Sequence, residues 1–226
     1  MSNSNLARLL QLASPALPVG TYSYSQGLES AVEAGIVRDA TSAQSWIGDV
    51  LELSMARMEA PLLLRLYQAW NTEDFVAVEH WNALFLASRE SAELRAETVQ
   101  MGFSLTRLLS DLGEGDSSRF AHLQSCEEPA FPTAYACAAA QWRIDPASAL
   151  VAYLWSWLEN QVMAAIKAVP LGQTAGQKIL LALGARLDDI AQAAAVCADH
   201  ELGNFAPGLA ILSSRHETQY SRIFRS

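Results

Sequence analysis

Apolar side chains recur every three or four residues along most of the chain, the spacing that places them on one face of an α-helix. The clearest stretch covers residues 145–178, with apolar residues four positions apart at Leu150, Leu154, Leu158 and Val162. Asp145 before Pro146 is typical of a helix start, with a capping oxygen and then proline at the first position. The helix is expected to end at Lys167, before a break at residues 170–172. Because apolar residues occupy much of its circumference, we expect it to be buried on several sides.

The same periodicity predicts further helices, separated by glycine, proline and capping residues. We predict them at residues 5–13, 26–35, 39–70 with a kink or break at Pro61, 72–87, 88–112, 133–142 and 173–197 with a division near Gly184. Val, Ile and Thr are few, and no segment shows a convincing strand alternation. Residues 113–118 are predicted to form a loop but not a domain boundary. We therefore expect an all-α, single-domain bundle of about ten helices over residues 1–226.

The segment of residues 88–112 raises three expectations of its own. Gly102 costs helix stability, so we expect it to permit close packing. Arg89 and Glu93 have the spacing of an i, i+4 ion pair. Glu90, Glu93 and Glu97 could line one face in the manner of a metal site, but helical carboxylates of this kind are far more often a solvated face, and that is the interpretation we favour.

The net charge of the chain excludes some classes of binding partner. The formal net charge is −9, which argues against non-specific binding to nucleic acid or to an anionic membrane. The three cysteines are widely spaced, which favours reduced thiols in a cytoplasmic protein. Residues 5–13 resemble a short signal peptide at first glance, but their apolar spacing favours an amphipathic helix. Helix 145–167 could span a bilayer at about 20 residues, but Glu159, Asn160 and Gln161 interrupt it, so we predict no membrane anchor.

Two segments outside the predicted helices, a loop and the C-terminal tail, are unusually rich in aromatic or basic residues. Residues 15–29 combine two prolines and Gly20 with Tyr22 and Tyr24, and these tyrosines either fill the core or are presented to a partner. The tail, residues 213–226, carries three arginines, a histidine and two aromatic residues on an otherwise acidic chain. Arg and Tyr are enriched among interface anchors. We favour a partner-binding tail over one that docks on its own chain.

Motifs of common enzymes are absent from the sequence. It contains no phosphate-binding G-x-x-x-x-G-K-[ST] and no G-x-S-x-G, and Tyr220 stands where H-E-x-x-H from His216 would need a second ligand. We predict no cofactor and no metal-ligand set. Lys167 could be a catalytic lysine buried at the end of an apolar helix, but a cation favoured at a helix C-terminus is the preferred interpretation. An adaptor is therefore favoured over an enzyme.

Four segments resemble the urease accessory protein F family, UreF: LLQLASPALPVGTYSYSQGLE, SRESAELRAETVQMGFSL, IKAVPLGQTAGQKIL and HETQYSRIFRS. The residues of these segments and their order along the chain are specific to that family. The resemblance covers nearly the whole chain. It implies an all-helical, dimeric, cytoplasmic protein that is not itself an enzyme. It also implies that the protein binds the accessory D protein (also called H) and recruits the GTPase accessory protein G. This assembly acts on apo-urease and supports nickel delivery, with an internal passage for nickel in the F–D complex.

The resemblance also implies roles for particular residues. Tyr22 and Arg222 are associated with recruitment of the GTPase, and we expect them to converge on one surface of the assembled dimer. The tail candidates for contact with the D protein are Arg215, His216, Glu217, Tyr220 and Phe224. Lys167 is a candidate for modulating GTP hydrolysis. The competing hypotheses are a helical enzyme using Lys167 and nearby carboxylates, and a direct nickel carrier, which the scattered histidines and cysteines disfavour.

Overall fold

The computed structural model describes residues 3–113 and 117–226, and these residues form α-helices, a π-helical segment, short 3₁₀ turns and connecting loops, with no strand. The helices are α1 Asn3–Leu12, α2 Leu28–Glu33, α3 Ala40–Val50, α4 Ala60–Thr72, α5 Phe75–Ala87, α6 Ala92–Asp111, α7 Ser118–Ser125, α8 Phe131–Gln141, α9 Pro146–Ala168, α10 Gln173–Gly184, α11 Leu187–Val196 and α12 Pro207–His216. The prediction of an all-α fold of about ten helices is confirmed. The short α7 was not predicted, and residues 114–116 of the predicted loop lie outside the described residues.

The centre of the core is α8, a helix of mostly small side chains. Every residue from 132 to 140 is buried, and α8 packs against α4 on one side and α6 on another. Small side chains let neighbouring backbones approach closely. Gly102 on α6 lies at such an approach, because an added Cβ would stand 1.8 Å from the carbonyl oxygen of Pro129. The close packing expected at Gly102 is therefore present.

Helix α9 has the start and burial that its sequence predicts. The Asp145 carboxylate accepts a hydrogen bond from the backbone N–H of Ser148 at 2.9 Å, and Pro146 occupies the first turn, where no N–H is needed. The helix packs against α1, α2, α10 and α11. Among residues 3–113 and 117–226, no helix combines the length and apolar content that crossing a bilayer requires.

Pro61 does not end the predicted helix of residues 39–70. Asp39 caps α3, and a π-helical segment, Leu51–Glu59, carries the chain into α4 without a turn. Proline has no N–H to donate to the carbonyl four residues earlier, at Arg57. The backbone N–H of Gly203 donates to that carbonyl instead, at 3.3 Å. The wider π-helical turn and this outside donor let the helix continue past the proline.

Helix α6 begins at Ala92, later than residue 88, and this corrects the expected Arg89–Glu93 pair. Ser91 caps the helix by accepting from the N–H of Leu94 at 3.1 Å, so Arg89 precedes the first turn. Its guanidinium binds the Glu59 carboxylate at 2.7 Å instead, with both side chains only 8% exposed. Glu93 is thereby left to bind the tail.

We predict that Gly102→Ala destabilises the fold by about 1–3 kcal/mol, because the new methyl group forces α6 away from Pro129. Without that clash alanine would favour a helix by about 1 kcal/mol. Gly172→Ala is the control, since its Cβ would meet no atom within 4 Å. Urea unfolding followed by circular dichroism measures both variants, and equal stabilities would contradict the packing argument.

Candidate functional site

The tail folds back along its own chain, where carboxylates of α2 and α6 bind His216, Arg222, Ile223, Phe224 and Ser226. Its first residues belong to α12, which packs against both of these helices. Gly27 makes the approach possible: its φ is +78°, and an added Cβ would stand 3.2 Å from Leu209 on α12. Beside it, the hydroxyls of Ser91 and Ser213 share a hydrogen bond of 2.6 Å. The tail therefore starts from a buried, fixed position.

His216 at the end of α12 is fully buried between two carboxylates. Its Nδ1 lies 2.7 Å from Oε2 of Glu93, and its Nε2 lies 3.1 Å from Oε2 of Glu29. Each ring nitrogen therefore has a carboxylate oxygen within hydrogen-bond distance inside the core. His216 joins α12 to α2 and α6.

The Glu29 carboxylate also binds the tail backbone further along. It accepts the N–H of Ile223 at 2.6 Å and the N–H of Phe224 at 3.0 Å. Together with His216, three donors surround this side chain, and Glu29 is only 6% exposed. A buried carboxylate requires such donors. Glu29 is therefore the group that turns the tail back onto the bundle.

Arg222 is held less deeply than its neighbours. Its Nη1 lies 2.7 Å from Oε1 of Glu93, and its side chain remains 38% exposed. Glu93 thus binds His216 with one oxygen and Arg222 with the other. The guanidinium is fixed at one end and accessible to a partner at the other.

Ser226 lies fully buried against residues of the 15–29 loop and α6. Its carbonyl oxygen accepts from the N–H and the hydroxyl of Ser25, both at 2.6 Å. Its hydroxyl donates to Oε2 of Glu97 at 2.8 Å. Gln26 donates to the other Glu97 oxygen at 2.7 Å and accepts from the indole N–H of Trp157 at 2.7 Å. These bonds connect the tail through Glu97 and Gln26 to α9.

Tyr22, Lys167 and Phe224, three residues singled out in the sequence, meet at the end of α9. The amino group of Lys167 lies 5.6 Å from the ring centroid of Tyr22 and 5.6 Å from that of Phe224, within cation–π distance. Phe224 is buried and Tyr22 is half-buried. Burial, with a smaller contribution from Glu159, raises the pKa of the Tyr22 hydroxyl. Lys167 itself is exposed, as expected of a last-turn cation and not of a buried catalytic lysine.

The other tail candidates divide between contacts with this chain and exposure to solvent. Glu217 accepts the N–H of Ala92 at 2.9 Å and so binds the first turn of α6. Arg215 is exposed, Tyr220 is fully exposed, and Ile223 is 67% exposed. The tail is therefore docked by its backbone, His216 and Phe224, while it presents a separate set of side chains outward.

The carboxylates that hold the tail were missed in the sequence. Glu93 and Glu97 were interpreted as part of a solvated face, and this was wrong: Glu97 is 4% exposed and binds Ser226. Glu29 was not singled out at all. The composition of the tail could have indicated that it docks on its own chain. A basic segment of an acidic protein has many possible carboxylate partners in the same sequence. Periodicity alone cannot show which of them it meets.

A cavity of about 70 Å³ lies beside this network. Its lining passes from Pro15 and Tyr22 near the surface to the buried carboxylates of Glu59 and Glu97. The Glu59 carboxylate accepts the Tyr153 hydroxyl at 2.8 Å. Within the described residues, no group of three or more His, Cys, Asp or Glu side chains could hold a metal ion.

Comparisons with known proteins agree on one family. A model of the UreF family matches residues 37–184. A urease accessory protein UreF from Azoarcus sp. (strain BH72) is 61% identical over 223 residues, which are 98% of this chain and 95% of that protein. Another from Methylobacillus flagellatus is 53% identical over 227 residues, 100% of both chains. A bifunctional urease accessory protein UreEF from Bordetella bronchiseptica is 50% identical over 224 residues, which are 98% of this chain and 52% of that protein.

The fold and the site define an all-helical protein in which a polar network holds the tail against the chain's own helices. The family match covers well over half of the chain, and the similarity to the relatives continues through the 15–29 loop and the tail. The chain belongs to the UreF family of urease accessory proteins.

We predict that Glu29→Ala releases the tail, because His216, Ile223 and Phe224 lose the carboxylate that they share. A hydrogen bond to a charged group contributes about 1.5–3 kcal/mol, so the undocked population should rise by more than about tenfold. Trypsin cleavage after Arg222, timed by mass spectrometry, measures that population.

Glu33→Ala is the matched control for this measurement. Glu33 lies on the same helix, one turn beyond Glu29, and is exposed. We expect its cleavage rate to equal that of the unmodified protein. Slow cleavage of the Glu29→Ala variant would show that the tail is held mainly by other contacts.

Proposed function

We propose that this chain is an adaptor in urease maturation. In this proposal it binds the accessory D protein (also called H) and recruits the GTPase accessory protein G. The assembly then inserts nickel into apo-urease in a GTP-dependent step. Nickel is the cargo of this process, and the chain contributes no catalytic group. Membership of the UreF family supports the urease pathway, and the partners are those that the family resemblance implies.

The observation that carries the proposal is the outward face of the docked tail. Arg215, Tyr220, Arg222 and Ile223 are exposed on it. Arginine and tyrosine are enriched at the centres of interfaces, and a large exposed apolar side chain beside them is typical of a binding site. The tail is also basic on a chain of net charge −9, which would favour a partner with an acidic surface.

The positions of Tyr22 and Arg222 support one partner for both. Phe224 follows Arg222 by two residues and shares the Lys167 cation with Tyr22. The two residues therefore lie near the ends of one short strip along the docked tail. A GTPase that contacts Arg222 could contact Tyr22 without a rearrangement of the tail. We propose this strip as the GTPase-recruiting surface, to be completed in a homodimer.

The tail candidates for the D protein take different roles in this proposal. Arg215 and Tyr220 are exposed and suited to direct contact. His216 and Phe224 are buried, so they would act by holding the tail in its docked position. Glu217 binds Ala92 and would act in the same indirect way. Ordering of the tail against the D protein would make recruitment of the GTPase conditional on assembly of the complex.

The alternative of a helical enzyme using Lys167 and nearby carboxylates receives less support. Such an enzyme needs a desolvated lysine, because burial is what lowers an amine pKa toward neutrality. Lys167 is exposed, and its amino group lies over two aromatic rings. The proposal of a cytoplasmic adaptor, with no nucleic-acid or membrane partner, is consistent with the acidic net charge of the chain.

We predict that Tyr22→Ala and Arg222→Ala each abolish co-purification of the GTPase with the F–D complex. Loss of one interface anchor of this type costs about 2 kcal/mol or more, which lowers affinity by over about tenfold. Urease activation should fall in parallel while apo-urease remains present. Arg107→Ala is the control, since its side chain is 86% exposed on α6, away from the tail.

Helical circular dichroism and dimer mass should be unchanged in both variants. Normal recovery of the GTPase with both substitutions would overturn the proposed surface. Loss of the D protein together with the GTPase would show that the substitutions act on an earlier assembly step.

We predict that Lys167→Met changes GTP hydrolysis in the assembled complex, whereas Lys167→Arg does not. Methionine keeps an unbranched apolar stem but removes the cation that lies between Tyr22 and Phe224, an interaction of about 0.5–1 kcal/mol at exposed sites. Phosphate release by the purified F–D–G complex measures the effect. Equal rates in all three proteins would remove Lys167 from the proposal.

A further inference from the structure

Helix α9 holds the 15–29 loop through two buried side chains, those of Trp157 and Asn160. The side-chain amide of Asn160 donates to the backbone carbonyl of Tyr24 at 3.1 Å, and the indole N–H of Trp157 donates to the side-chain oxygen of Gln26 at 2.7 Å. Asn160 is 5% exposed and Trp157 is 7% exposed. The two bonds attach the loop to the core just after Tyr22.

The part of the loop next to these bonds is a single turn centred on Tyr22. Gly20, with a φ of +83°, precedes a 3₁₀ turn at Thr21–Ser23, and the N–H of Tyr24 closes this turn on the carbonyl of its first residue at 3.2 Å. Glycine suits this position because a left-handed φ is strained for residues with a Cβ. Since Asn160 binds the carbonyl of the same Tyr24, the residue that closes the turn is also the one anchored to α9.

The chain direction just after the turn is set at Gln26. Its backbone is left-handed, with a φ of +51°, which is uncommon for a residue with a Cβ and persists where surrounding contacts hold it. The side chain of Gln26 is held by two partners, because it accepts from Trp157 and donates to Glu97 at 2.7 Å. Trp157 therefore helps to fix the chain at a second point after the turn.

The same helix carries the cation that Tyr22 meets. Asn160 and Lys167 lie about two helical turns apart on α9, a spacing that places them on one face of the helix. The amino group of Lys167 lies 5.6 Å from the ring centroid of Tyr22. The turn is thus anchored at one point of α9, and its tyrosine meets a cation further along the same face. Loss of the anchor would let Tyr22 move relative to Lys167.

An asparagine in this position needs a reason, because burial of an amide is costly unless the amide is hydrogen-bonded. Leucine has a similar size and would carry no such cost. The bond to the loop carbonyl is the reason that the structure gives for Asn160. The next residue, Gln161, is 1% exposed, and its side-chain nitrogen has no hydrogen-bond partner within residues 3–113 and 117–226. Two adjacent buried amides of α9 therefore differ in whether they hold the loop.

We propose that Asn160 and Trp157 are positioning residues for recruitment of the GTPase: they hold the turn of residues 20–24 against α9 and so set Tyr22 beside Lys167. The inference rests on the role proposed above for Tyr22 at the GTPase-recruiting surface. Both residues are buried, so they act through Tyr22 and do not touch the partner themselves. The affinity for the GTPase then depends on the interior of α9 as well as on the exposed strip.

The test is a double-mutant cycle, read as the affinity of the purified F–D complex for the GTPase. Asn160→Leu keeps a side chain of similar size but cannot donate to Tyr24. We expect it to lower the affinity about threefold to tenfold, the effect of one neutral hydrogen bond on a docked segment. Combined with Tyr22→Ala, it should cause no further loss, because it acts only through Tyr22. Gln161→Met, which removes the neighbouring buried amide, is the matched control and should leave the affinity unchanged.

Amide hydrogen exchange of the same F–D complexes measures the loop without the GTPase. Protection of residues 20–24 should fall in Asn160→Leu by a similar factor and stay unchanged in Gln161→Met. Trp157→Phe is an independent second variant, since it keeps an aromatic ring but loses the N–H that binds Gln26. It should lower both loop protection and affinity, and it takes the place of Asn160→Leu in the cycle if that variant does not assemble with the D protein.

The outcomes separate this inference from the function on which it rests. Normal affinity of Tyr22→Ala would overturn the proposed surface and the positioning role with it. Weak binding by Tyr22→Ala, with normal affinity of Asn160→Leu and Trp157→Phe, would overturn the positioning role alone. Losses that add in the double variant would do the same, because Asn160 would then act apart from Tyr22. Unchanged protection of residues 20–24 in both variants would overturn the positioning role whatever the affinity.

Discussion

The tail arrangement depends on one buried carboxylate, that of Glu29. It accepts from a histidine of α12 and from two backbone N–H groups of the returning chain. Polar contacts of this kind matter here because the tail contributes only Phe224 as a deeply buried apolar side chain. Everything proposed for Tyr22, Lys167 and Arg222 assumes that the tail lies where Glu29 holds it.

Several buried carboxylates of this acidic protein are paired with basic side chains. Arg89 binds Glu59 and His216 binds Glu29 and Glu93, all in poorly exposed positions. Such buried pairs contribute little net stability, because removing charges from water offsets their attraction. They do penalise wrong arrangements strongly, since an unpaired buried charge is costly. The pairs are thus better understood as determinants of where α6, α12 and the tail meet.

Much of the helical fold was predictable because its signals are local. Asp145 with Pro146, Asp39, and the spacing of Leu150 and Leu154 each lie within a few residues of the structure that they specify. The exceptions have physical causes. Pro61 is tolerated because Gly203, far along the chain, donates to the carbonyl that proline leaves without a donor. The predicted Arg89–Glu93 pair failed because Ser91 starts α6 later, and Glu59 is the better-placed partner of Arg89.

The sequence by itself determined the helices, their caps, the unusual composition of the tail and, through resemblance, Tyr22, Lys167 and Arg222 as candidates. Only the tertiary structure decided that the tail docks on its own chain, that Glu29, Glu93 and Glu97 receive it, and that Lys167 lies between Tyr22 and Phe224. The physical reason is the distance along the chain over which each signal acts. Helix capping and amphipathic spacing depend only on residues a few positions apart. A carboxylate on a helix has the same sequence pattern whether water or a distant segment of the chain satisfies it, and only the folded arrangement distinguishes the two.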